Sequence, residues 1–86
     1  MNHAASAHFG TAFPVGAAKG DVFIRVDVLP HKLFKYDGDK WFEINKERTS
    51  VYLDNDGYID LLRNDVNSGK IDKDDLTDDE RAELYD

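Results

Sequence analysis

The sequence predicts a small α+β fold: a three-stranded antiparallel β-meander followed by two short acidic α-helices, with a flexible N-terminal arm. Three observations predict it. Apolar residues alternate with period two between residues 22 and 29, the period changes to that of a helix after residue 56, and the first twenty residues are poor in large apolar groups. The expected organisation is an arm at 1–20, a meander module at 21–53 and an acidic helical tail at 54–86.

The arm is rich in Ala, Gly and Ser, with Pro14 and three glycines, Gly10, Gly16 and Gly20. It is too poor in apolar groups to fold alone. Phe9 and Phe13 are its anchors, either on a partner protein or on the domain's own core. The first strand, VFIRVDVL at 22–29, sets Val22, Ile24, Val26 and Val28 on one face, and Pro30 stops it. KLFKY at about 32–36 and WFEI at 41–44 make a hairpin across Asp37-Gly38, a pair that favours a tight turn. Phe34, Tyr36, Trp41 and Phe42 supply aromatic area that is read as core packing rather than as a sugar- or protein-binding row.

NKERTSVYL at 45–53 is a polar bridge. Tyr58, Ile59, Leu61, Leu62 and Val66 then fit one face of a helix from about 56 to 67, and Gly69 reads as its stop. In the last helix Thr77 followed by Glu80 is a capping-box pattern, with Asp78 and Asp79 well placed for the helix dipole.

Charge bounds the partners. The chain of 86 residues carries 11 basic and 18 acidic side chains, net -7. Residues 1–49 hold 7 basic and 6 acidic groups, and residues 50–86 hold 4 and 12. The acidic half repels a phosphate backbone, which argues against direct nucleic-acid binding. No apolar run approaches the ~20 residues of a membrane span. Without cysteine there is no disulfide, Cys-ligated zinc or thiol nucleophile, which fits a reducing cytoplasm. The N-terminus lacks the basic start and long apolar centre of a signal peptide.

DNDGYID at 54–60 invites a calcium reading. With Gly57 at position 6 of an EF-hand loop, Ile59 falls at 8, Asp54 at 3 and Asp56 at 5, but position 1 is Tyr52 and position 12 is Arg63. A cation stands where a bidentate carboxylate is required. A second register, with Gly69 at position 6, puts Val66 at position 3 and is worse. Asp54, Asn55 and Asp56 are read instead as helix-capping residues, and no metal or other cofactor is expected. His3 and His8 lie in the arm and His31 in a turn after a proline, and all three are read as surface residues. No phosphate loop, Gly-x-Ser-x-Gly or nucleophile context is present, so no catalytic residue is assigned and an enzyme is not expected.

One segment is more specific. Residues 19–47, about a third of the chain, contain Gly20-Asp21, a strand with Phe23, Arg25 and Asp27, then Pro30, Leu33, Phe34, Tyr36, Asp37, Gly38 and Trp41. This pattern resembles a short β-module of virion proteins of tailed, T4-like bacteriophages, and Phe13-Pro14 just before it is similar to that group too. The resemblance implies a structural role in a phage particle at head, neck or tail, with other virion proteins, or further copies of the chain, as partners. The chain would be made in the host cytoplasm and located in the virion. Each matched residue is a folding device: Gly20-Asp21 turns the chain, Asp37-Gly38 tightens the hairpin, Trp41 folds back over the strands, and Arg25 and Asp27 lie on one strand face where ion pairing across strands is expected. The acidic tail lies outside the pattern. Its Asp74, Asp75, Asp78 and Asp79 are candidate contacts to a basic protein surface, and they carry the alternative reading of a soluble acidic adaptor or regulatory protein.

Overall fold

Alternation and turn chemistry build the centre of the molecule much as the sequence predicts. The computed structural model describes residues 7–85. Strands β1 (Ala7–Gly10), β2 (Val22–Arg25), β3 (Lys32–Tyr36) and β4 (Trp41–Ile44) precede helices α1 (Asp56–Asn67) and α2 (Asp78–Tyr85), with short 3-10 turns at Lys46–Arg48, Val51–Asp54 and Lys73–Asp75. β2, β3 and β4 form an antiparallel meander in which Ile24 faces Leu33 and Leu33 faces Ile44, so three apolar side chains share one face. The β3–β4 turn is held by Asp37, whose Oδ1 accepts from the amides of Asp39 and Lys40, both at 2.8 Å. Gly38 takes φ 101°, a conformation costly for a side chain.

The sheet nevertheless has four strands and is mixed. β1 pairs in parallel with β2, Ala7 opposite Val22 and Gly10 opposite Arg25, giving the order β1-β2-β3-β4. The expected free arm is therefore part of the fold from residue 7 onward, while residues 1–6 of it lie outside the described residues. Three contacts fix it. Phe9 packs at 6.0 Å on Tyr58, Asn55 Nδ2 donates to the Ala7 carbonyl at 3.0 Å, and Gly10 lies where a Cβ would come within 3.1 Å of the Phe23 ring. The connection to β2 then crosses the other sheet face, where Phe13 meets Phe23, Phe34 and Trp41.

β2 also stops at Arg25, short of the alternation that runs to Leu29. The amide of Val26 donates to Gly10 O at 2.9 Å, and β1 ends there while β3 starts only at Lys32. A strand needs neighbours, and among the described residues no strand pairs with residues 27–31, which form a bend that includes a cis Leu29–Pro30 bond.

The two α-helices close the face opposite Phe13. Val22, Ile24 and Leu33 from the sheet join Tyr52, Tyr58, Ile59, Leu62, Ile71 and Leu76 in one buried cluster, so the acidic tail shares its core with the meander. Burial of each such side chain is worth about 1.5–3 kcal/mol. α1 begins at the Asn55 cap, whose Oδ1 accepts from the Tyr58 amide at 3.0 Å, and ends before Gly69, which takes φ 84°. α2 begins with the capping box: the Glu80 amide donates to Thr77 Oγ1 at 3.1 Å and the Thr77 amide donates to Glu80 Oε1 at 2.9 Å. Among the described residues no helix is long and apolar enough to cross a membrane.

Candidate functional site

Three charged or polar side chains, His31, Asp65 and Glu80, are buried among the described residues, and one chain of contacts connects them. His31 Nε2 lies 3.1 Å from Asp65 Oδ2, and His31 Nδ1 lies 3.2 Å from the Tyr58 hydroxyl. That hydroxyl is 3.3 Å from Glu80 Oε2, to which Lys46 Nζ donates at 2.9 Å. The fold places each member for a local reason. His31 leaves the bend after Pro30 just before β3. Tyr58 and Asp65, seven residues apart, share the inward face of α1. Glu80 sits in the first turn of α2, and Lys46 opens the 3-10 turn after β4.

His31 is 2% exposed, so the sequence-based placement at the surface is corrected. The ring after a proline would be solvated if the bend pointed outward. Here it turns inward because α1 offers Asp65 and Tyr58 as partners. Burial lowers the His31 pKa from its ordinary value, assisted by the Lys46 charge, while Asp65 and Glu80 oppose the shift. Burial also pushes the Tyr58 and Tyr52 phenols well above the usual tyrosine range, with the Glu80 carboxylate adding to it in both. The arrangement is a buried run of hydrogen-bonding groups that links the bend before β3 to both helices. Its carboxylates are committed to partners, and a cleft of about 490 Å³ beside it is bordered by His31, Lys46, Ile44 and Thr77.

The pattern residues take structural positions. The Gly20 amide donates to Tyr36 O at 2.8 Å, and Asp21 closes a turn by accepting from the Ala18 amide at 2.9 Å. Leu33 is fully buried. Phe34, Tyr36 and Trp41 lie on the outer sheet face, where Phe13 stacks on Trp41 at 5.2 Å with the rings 8° from parallel, and Tyr36 packs on Trp41 at 5.1 Å. Arg25 pairs with Asp27 at 2.6 Å within one stretch of chain rather than across strands, and its guanidinium sits 4.7 Å over the Phe13 ring. Their mutual hydrogen bonds raise the Arg25 pKa and lower that of Asp27. The Asp37 carboxyl is lowered by the amides of Lys40 and Asp39.

Of the two roles open to Phe9 and Phe13, the structure has them packed on the domain itself. Asp74, Asp75, Asp78 and Asp79 are exposed around the start of α2, Asp78 paired with Arg81. In the calcium-like stretch Asn55 is engaged at both ends of its amide, by the Tyr58 amide and by Ala7 O. Among the described residues no group of three or more His, Asp or Glu side chains converges as a metal site.

Sequence reasoning missed Lys46, Tyr58 and Asp65 as partners of a histidine, and saw Glu80 only as a cap. One signal was present: Asp65 is an acid on the apolar stripe of α1, at a position that needs a buried partner. No protein-family model, no curated protein and no solved structure matches the chain.

Proposed function

We propose that the chain is a structural module of a bacteriophage particle that acts through protein–protein contacts. The observation that carries the contact mode is the outer edge of β4. That strand pairs with β3 on one side and ends the sheet on the other, and Phe42 on it is 40% exposed. An open edge with an exposed aromatic suits addition of an extended segment from a neighbouring subunit. The phage setting rests on the pattern from Gly20 to Trp41, whose residues here make turns, the core, an ion pair and an aromatic stack. Mass spectrometry of purified particles tests the setting: the protein is expected there at fixed copy number, and its presence only in infected-cell lysate rejects the reading. Phe42→Lys is expected to leave the fold intact and to abolish incorporation.

The exposure of Asp74, Asp75, Asp78 and Asp79 around one helix start supports a second reading, an acidic adaptor for a basic protein surface. It requires binding that weakens steeply with salt and disappears when these four are neutralised. Salt-insensitive binding rejects it.

A further inference from the structure

Proton counting singles out the Tyr58 hydroxyl. Asp65, His31, Tyr58 and Glu80 are joined by three contacts of 3.1, 3.2 and 3.3 Å, and each contact needs one proton between its heavy atoms. A neutral imidazole brings one proton and the hydroxyl brings one, so one of the three contacts goes without. The ring proton belongs on Nε2, because the other tautomer would set a lone pair against the Asp65 carboxylate. Nδ1 is then bare, and the hydroxyl must turn to it and away from Glu80. Glu80 tolerates this, since Lys46 Nζ and the Thr77 amide both hold it at 2.9 Å. A doubly protonated ring supplies the missing proton. Nδ1–H then donates to the phenol oxygen, and the hydroxyl swings to Glu80 Oε2.

We propose that Tyr58 is a two-position proton gate, which reports the protonation of His31, in the bend before β3, to the capping box that starts α2. The titratable groups that face the ring are Asp65 and Tyr58 from α1, Glu80 from α2 and Lys46 from the turn after β4, and Tyr52 of the Val51–Asp54 turn packs on the Tyr58 ring at 5.7 Å. Uptake of one proton changes the set from two buried carboxylates and one partly buried ammonium to a balanced one. The group that moves is a single hydroxyl, so the response needs no rearrangement of the backbone. Its output is a changed hydrogen bond at the carboxylate that caps α2, next to the exposed Asp78 and Asp79.

The test is a pH titration of the full chain by NMR, reading the imidazole nitrogens of His31 and the backbone amides of Thr77 to Arg81. Above the midpoint the ring is expected as the Nε2–H tautomer with bare Nδ1. The α2 amides are expected to shift with the same midpoint as the ring. In Tyr58→Phe the ring still titrates but the α2 amides no longer follow it. An Nδ1–H tautomer above the midpoint, α2 amides that stay still while the ring titrates, or a ring that takes no second proton before unfolding would each overturn the gate. If Tyr58→Phe fails to fold, the tautomer and the shared midpoint in the unaltered chain still decide.

Discussion

Phe13 lies flat on Trp41, their ring centres 5.2 Å apart and their planes 8° from parallel. The contact joins the crossing segment between β1 and β2 to the far strand of the sheet. It covers the face that the helices leave open.

Removing that lid should be costly. Phe13 touches three aromatic rings and an arginine but is only half-buried, so Phe13→Ala is expected to lose about 2 kcal/mol, below the range for a fully buried Phe. Urea unfolding followed by Trp41 fluorescence measures this, and the emission of the folded variant should move to the red. An unchanged midpoint would mean that the crossing segment contributes nothing to stability.

The capping box gives a graded pair. Thr77→Ala removes one acceptor at the helix start and should cost about 1 kcal/mol. Glu80→Ala also leaves Lys46, whose side chain is 12% exposed, without its carboxylate, and should cost about 3 kcal/mol. The double variant should lose less than the sum, because both residues serve the same cap. Thermal unfolding of the three variants checks the order; equal losses would place the Lys46–Glu80 pair outside the energetics.

Acid should weaken the fold through His31. Its pKa is lowered in the folded protein, so as pH falls below the ordinary imidazole value of 6.5 the unfolded chain takes up the proton first. Stability is complete above 6.5, falls through the window down to the lowered folded value, and levels off beneath it as far as this group is concerned. His31→Gln should flatten the dependence within that window. Urea midpoints across the window test the sign, and a rise in stability on acidification would contradict it.

Calcium should leave the 54–60 stretch untouched. Asn55 is committed at both ends, and Gly57 lies where an added Cβ would meet the Phe9 ring at 3.1 Å, so the loop is closed against the β1 side. Amide NMR shifts of Asp54 to Asp60 are expected to stay fixed at millimolar calcium.

What could be read from the sequence was what depends on neighbours in the chain. α1 begins at its Asn55 cap and stops before Gly69, Thr77 and Glu80 cap each other, and Asp37-Gly38 makes the hairpin turn, all from interactions a few residues long. What could not be read depends on distant pairing. β1 is four residues of weak apolar content, and it is a strand because Val22 to Arg25 offers it an edge. His31 is buried by groups 27 and 34 residues further on. The alternation that runs on to Leu29 reads as strand, but beyond Val26 no strand among the described residues lies beside it.

The parallel pairing of β1 has a practical consequence. A chain started at Gly20 would not be the same protein with a tether clipped off. It would lose an edge strand, one ring of the outer stack and the backbone acceptor for Asn55 together, and would show Phe23, Phe34 and Trp41 to water. Any loss of assembly after such a truncation would speak first of a damaged fold, and single changes at the β4 border are the cleaner probe of attachment.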